Sequence, residues 1–201
     1  MASDEQLLVD FLDGNHDAFQ NLVERHSEEL FRFISRFTGN VAAAEDIAQE
    51  TFIQVFHSAT GFDPSRRFRP WLYTIAANKA RDHLRTRVRK RELPLATGAG
   101  AGSAEEVSYL DFLSDDSQSP GETLIEEETR QRVREVVSRM PDNLREVLVL
   151  GYYQRFAYKE IADILSIPLG TVKSRLHAAV SHFATAYKKF EQESAGAGKE
   201  E

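Results

Sequence analysis

The sequence predicts an all-α protein: two small helical domains joined by an acidic flexible linker, the second containing a helix-turn-helix. Apolar residues recur at three-and-four spacing, and no alternating strand pattern occurs. Glycine, proline and asparagine punctuate that pattern at helix-length intervals. Between the two periodic regions, residues 92–119 read "ELPLATGAGAGSAEEVSYLDFLSDDSQS", a Gly-, Ala-, Ser- and acid-rich composition suited to a linker.

Four helices are expected before that linker. The first runs near Asp4 to Leu12 and closes at Gly14. The second can start at Asp17, places Phe19, Leu22, Val23, Leu30, Phe33, Ile34 and Phe37 largely on one face, and stops at Gly39. Asn40 is placed to cap the third, "VAAAEDIAQETFIQVFHSA", which ends before Gly61. The fourth follows Pro70, a favoured first-turn residue, as "PWLYTIAANKARDHLRTRVRK". Within the linker, the apolar "VSYLDFL" can dock or form a short helix. Beyond it, Ser119-Pro120 opens a second helical unit in which Pro141 and Pro168 mark further helix starts, and "EQESAGAGKEE" closes the chain as a frayed tail.

At 41% hydrophobic and 28% charged, a chain of 201 residues can bury one ordinary core or two small ones, so wholesale disorder is excluded. Cysteine is absent, which excludes disulfides and cysteine-ligated zinc or iron–sulfur centres. No early apolar run resembles a signal peptide, and none approaches the roughly 20 residues of a membrane span, so a cytoplasmic protein without membrane insertion is expected. The net charge of −7 argues against a nucleic-acid partner only if it is evenly spread. It is not. Residues 1–63 hold 12 acids against Arg25, Arg32 and Arg36, whereas residues 64–91 hold ten basic residues against Asp82 alone. Residues 92–129 then carry 10 acids and no Lys or Arg, and 130–201 carry 12 basic and 9 acidic residues. Because salt limits a field to about 10 Å, these local excesses decide binding.

The stretch "FAYKEIADILSIPLGTVKSRLHAAVSHF", residues 156–183, has the parts of a helix-turn-helix. Ala162 is small enough for a helix crossing, Ser166-Ile167-Pro168 makes the turn, and Ile161, Leu165, Val172 and Leu176 hold the helices together. At 100° per residue, Val172, Leu176, Ala179 and Phe183 form the buried stripe of the second helix. Ser174, His177, Ala178 and Ser181 then point outward, flanked by Lys173 and Arg175. Small side chains allow close approach to a major groove, and Lys and Arg reach phosphates or guanine edges. The plainer reading is a helical hairpin packed on its own domain, or a protein-binding face.

On the fourth helix, Tyr73, Ala76, Ala77, Ala80 and Leu84 take the core side and Trp71, Thr74, Ile75, Asn78, Arg81, Asp82 and Arg85 the other. An outward Trp beside Asn and Arg suits single strands or opened duplex, where bases stack on aromatics. The competing reading places Trp71 as a cap on the core beneath the 58–68 loop. On the third helix, Asp46, Gln49, Glu50 and Ile53 form one stripe opposite Ala44, Ala48, Phe52 and Val55, which is either a small docking surface or a solvated face.

These motifs, in this order, resemble bacterial RNA polymerase sigma factors of the extracytoplasmic-function (ECF) group of the sigma-70 family. "AEDIAQETFIQVF" resembles the family's core-polymerase-binding helix, "FRPWLYTIAANKARDHLR" its −10-recognition and strand-opening helix, and "LREVLVLGYYQRFAYKEIADILSIPLGTVKSRLHAA" its −35-reading domain. The resemblance implies a region 2-like domain over 1–91, the linker over 92–119, a region 4-like domain over 120–190 and the tail over 191–201.

Carried residue by residue, it implies that Asp46, Gln49, Glu50 and Ile53 dock on the coiled coil of the largest core subunit. Arg66, Arg67, Phe68, Trp71, Asn78, Arg81 and Arg85 handle the −10 element, with the loop Ser58 to Phe68 capturing a flipped base of the non-template strand. Thr171, Lys173, Ser174, Arg175 and His177 meet the −35 element, and the acidic linker threads the RNA path of the core enzyme. The implied partners are core RNA polymerase, through that coiled coil and the flap, promoter DNA including its non-template single strand, and an anti-sigma factor. The family uses no cofactor and performs no chemistry of its own. One departure stands out: where relatives continue the recognition helix with arginines, this chain has Ala178, Ala179 and Val180, which implies fewer phosphate contacts and a flatter salt dependence.

Two other readings compete. A stand-alone helix-turn-helix regulator leaves the basic segment 64–91 without a role. A metal-dependent hydrolase rests on His16-Asp17 and on Glu24 with His26, with no second cluster at ligand spacing.

Overall fold

The computed structural model describes residues 2–92 and 124–197, and every regular element among them is helical. They form two compact units. The linker expected over 92–119, with its "VSYLDFL", lies outside the described residues apart from Glu92.

The N-terminal unit holds α1 (Asp4–Leu12), α2 (His16–Thr38), α3 (Val41–Ser58) and α4 (Phe68–Glu92), with a short 3₁₀ turn, Ala59–Gly61, after α3. Local chemistry sets these limits. Ser3 accepts the Gln6 N–H at 3.2 Å and caps α1. Gly39, at φ 66°, ends α2 in the left-handed conformation that costs glycine nothing, and Asn40 accepts the Ala43 N–H at 3.2 Å to start α3. On α2, Leu22, His26, Leu30, Phe33 and Phe37 line the buried stripe. Ala44, Ile47, Ala48 and Val55 of α3 and Leu72, Tyr73, Ala76, Ala77 and Ala80 of α4 close the core against it. The alanines let α4 approach closely; Phe33 fills the space left, 4.8 Å from the Tyr73 ring.

One polar residue in the α2 stripe needs a partner. His26 Nε2 lies 2.9 Å from Asp4 Oδ2, and Asp4 also accepts from Arg25, so the first turn of α1 is tied to α2. The hydrolase reading pairs His26 with Glu24, but the structure corrects this: Glu24 is exposed and accepts from Gln20.

The C-terminal unit holds α5 (Leu124–Ser138), α6 (Asp142–Leu148), a π-helical turn Val149–Tyr153, α7 (Tyr158–Leu165) and α8 (Leu169–Ala197). Both expected prolines start helices. The Pro141 carbonyl accepts from Leu144 and Arg145 at 2.9 Å, and the Pro168 carbonyl from Thr171 at 2.8 Å and Val172 at 3.1 Å. The buried Arg145 donates to the Ser138 carbonyl at 2.8 Å and the Met140 carbonyl at 3.2 Å, satisfying the C-terminus of α5. Glu160 accepts the Ala157 N–H at 2.9 Å, half of a capping box at the start of α7. Val136, Val137, Met140, Val147, Leu150, Phe156, Ile161, Val172 and Ala179 make the core.

Helix α8 continues to Ala197, into the segment from residue 191 expected as a frayed tail.

Candidate nucleic-acid interface

The chain between α3 and α4 is anchored rather than open. Phe62 is buried, and its ring lies 4.8 Å from Trp71 and 6.2 Å from Phe68. Asp63 folds the next turn by accepting the Ser65 N–H at 3.0 Å and the Ser65 hydroxyl at 2.7 Å; those bonds hold its carboxyl below the usual range. Arg66 and Arg67 are exposed on that turn, with Arg66 3.8 Å from Asp63.

Two residues expected to meet the −10 strand are placed otherwise. Phe68 is wholly buried, its ring packed on His26 at 5.5 Å and Trp71 at 5.9 Å, so it is a core residue and not a DNA-reading one. As the first residue of α4 it turns inward because Phe62, Trp71 and α2 offer it an apolar pocket. Trp71 is half-buried rather than outward, since its ring rests on Phe62. Both readings of Trp71 therefore hold part of the answer: it covers the core under the loop while keeping part of its surface accessible.

The rest of α4 follows the projected face. Asn78 and Arg85 are exposed, Arg81 is half-buried, and Arg85 makes only a solvent-exposed pair with Asp82 at 3.1 Å. Arg69 is turned away, donating to Glu29 at 2.6 Å and lying 5.1 Å over the Tyr73 ring. Burial first, then the Glu29 carboxylate, push the Tyr73 hydroxyl far up, so it stays neutral. Leu72, absent from the projected core side, is fully buried.

On α3 the stripe Asp46, Gln49, Glu50 and Ile53 is exposed throughout, with Ile53 58% accessible and Glu50 3.2 Å from Lys79 of α4. The structure extends it. Phe56, three residues after Ile53 and 46% accessible, meets Phe11 at 5.1 Å and Phe19 at 5.4 Å. This aromatic cluster from three helices was missed in the sequence, although the continued three-and-four spacing from Ile53 was its signal.

In the C-terminal unit, Gly151 lies where α7 and α8 meet the π turn: a Cβ there stands 3.5 Å from both Ile161 and Leu176. Ser166, at φ 53°, reverses the chain after α7, and the Ile167 N–H reaches the Ala162 carbonyl at 3.0 Å. On α8, Val172 and Ala179 are buried, Leu176 and Phe183 half-buried, and Lys173, Ser174, His177, Ala178 and Ser181 exposed; Thr171 is half-buried. Ser174 donates to the Thr171 carbonyl at 3.0 Å. Arg175 departs from expectation. Its guanidinium donates to Glu146 of α6 at 2.8 Å, and that carboxylate is buried, so Arg175 ties α8 to its own unit in place of the expected outward flank.

Comparison with known proteins gives the site a context. Residues 22–90 match the family model described as Sigma-70 region 2, and residues 130–183 that described as Sigma-70, region 4. The chain is 34% identical over 164 residues to the ECF RNA polymerase sigma factor SigW of Bacillus subtilis, covering 82% of this chain and 86% of that protein. It is 32% identical over 176 residues to the RNA polymerase sigma-H factor of Pseudomonas aeruginosa, covering 88% and 89%. Among solved structures, CnrH in complex with the cytosolic domain of CnrY superposes with a TM-score of 0.66 at 24% identity, over 94% of this chain and 99% of that one. That likeness bears on the fold.

Proposed function

Because this chain belongs to the ECF group of the sigma-70 family, whose members direct promoter-specific transcription initiation by RNA polymerase, we propose that its two units divide promoter recognition between them. The N-terminal unit, residues 1–91, docks on the core enzyme through Asp46, Gln49, Glu50 and Ile53, with the neighbouring Phe56 adding apolar contact. Its α4 face, with Arg66, Arg67, the accessible part of Trp71, Asn78, Arg81 and Arg85, handles the −10 element and its non-template strand. The C-terminal unit, residues 120–190, sets Thr171, Lys173, Ser174 and His177 of α8 in the major groove at −35, while Arg175 fixes the helix that carries them.

The observation that carries this reading is the pairing, on one chain, of a basic helix face behind an aromatic-anchored turn with a recognition helix that exposes Lys173, Ser174, His177, Ala178 and Ser181. A stand-alone duplex-binding regulator gives the first of these no task. The protein supplies no reaction of its own and takes no cofactor, because the chemistry belongs to the polymerase. It works in the cytoplasm, where the polymerase is; among the described residues no helix is long and apolar enough to cross a membrane. An anti-sigma factor covering the exposed stripe of α3 competes with core docking. Among the solved structures similar in fold, the sigma factor RpoE of Bartonella quintana is in complex with the anti-sigma factor NepR.

In vitro transcription with core RNA polymerase tests the reading. The added protein yields promoter-dependent transcripts from templates of its own genome and binds the same duplex weakly when alone. A protein that gives no transcript with core enzyme but binds duplex tightly as a dimer refutes it.

A further inference from the structure

Helix α4 is bonded at its start from a distant helix. Phe68 opens it, Arg67 precedes it, and its first turn contains no acid. The Phe68 N–H is nevertheless satisfied: it donates at 2.8 Å to Oε1 of Glu5, which lies 63 positions earlier on α1. A carboxylate at a helix N-terminus meets both an orphan N–H and the positive end of the helix dipole. In the chain the bonded amide follows Arg66 and Arg67 and precedes Arg69.

Glu5 is itself held. Ser3 caps α1, and the adjacent Asp4 is bonded to Arg25 and His26 of α2. The bonded amide belongs to the residue whose ring supports Trp71, and Phe62, whose ring meets both Phe68 and Trp71, begins the turn that displays Arg66 and Arg67. The frame of the −10 face therefore passes through one side chain of the N-terminal helix.

We infer that Glu5 is a positioning residue for −10 strand recognition: by capping α4 from α1 it sets the angle at which Trp71 and the Asp63–Arg67 turn are presented, without touching DNA. This rests on the reading of the α4 face given above. Capture of an unstacked base needs its stacking partner placed in advance, so a start of α4 left to fray loses affinity for the strand while the stripe on α3, held by the rest of the core, keeps its own.

The test uses full-length protein assembled with core polymerase. The probe is a fluorescent single-stranded oligonucleotide carrying the non-template −10 segment of a promoter that the wild-type holoenzyme transcribes, with a scrambled oligonucleotide as control. Glu5→Ala lowers affinity for the −10 strand about fivefold, the usual size of a lost helix cap, while core affinity at 20 °C below the melting temperature stays within about twofold. Glu5→Gln, which keeps an acceptor oxygen, recovers most of the loss. Equal losses in strand and core affinity, or no rescue by Gln, reduce Glu5 to a general stabiliser and overturn the inference. A wild-type holoenzyme that discriminates the two oligonucleotides, with Glu5→Ala matching it, overturns this inference alone. A wild type that does not discriminate overturns the reading of the α4 face and the inference with it.

Discussion

Replacing Arg175 by alanine separates the two roles an arginine on a recognition helix can have. Its side chain is 27% accessible and its partner Glu146 only 7%, at 2.8 Å. An exposed pair is worth at most about 1 kcal/mol, and breaking a buried one costs about 3–5 kcal/mol. Half-screened on one side and buried on the other, this pair falls between, and its loss destabilises the C-terminal unit by about 2 kcal/mol. Urea denaturation of the full chain, with hydrogen exchange of the α6 and α8 amides, reads that cost. Adding Glu146→Gln to Arg175→Ala returns part of it, because the neutral amide no longer needs a cation. The DNA side is read separately. A side chain that neutralises one phosphate contributes about 0.9 to the slope of log affinity against log salt for duplex. Lys173→Ala removes about one unit from the slope of holoenzyme binding to a −35-containing duplex, and Arg175→Ala leaves the slope unchanged. An Arg175→Ala protein with wild-type stability and a slope reduced by one unit refutes the structural role assigned to this residue.

Phe68→Ala destabilises the N-terminal unit by about 3–5 kcal/mol, whereas Phe68→Leu costs under about 1.5 kcal/mol and keeps −10 binding; a stable Phe68→Ala protein that has lost only DNA binding contradicts the core assignment. Trp71→Ala combined with Asn78→Ala impairs open-complex formation, followed by permanganate reactivity of the opened strand, more than it impairs core binding, and equal losses count against the α4 face. The Phe68 N–H holds the folded-state pKa of Glu5 below the ordinary glutamate range, partly offset by burial and the neighbouring Asp4. A depressed carboxyl pKa stabilises the fold fully above the unfolded value, and that contribution is lost as pH falls through the folded one. The stability advantage of wild type over Glu5→Ala is thus constant from about pH 6 upward and shrinks below pH 4.5, measured as the difference in unfolding midpoint across pH.

By itself the sequence determined the helical class, most helix boundaries and the identity of the outward faces. The boundaries at Gly39, Asn40, Pro141 and Pro168 were legible because a cap or breaker acts within one turn of where it stands in the chain. The exposed sides of α3 and α8 were legible because a period of 3.6 residues fixes direction from the axis. Tertiary structure decided what those directions meet. Periodicity gives Arg175 an angle, but a long side chain at the edge of a stripe can reach outward or back, and the buried carboxylate on α6 draws it back. Phe68 and Trp71 stand at the start of α4, where the projected face is cut short; the Phe62 ring, brought over by the turn between α3 and α4, settles how deeply each is covered. Glu5 carries no local sign of its task, since its bond joins residues 63 apart and exists only because α1 packs across the start of α4. A helix face is a local property of the chain, whereas a partner is a property of the packing.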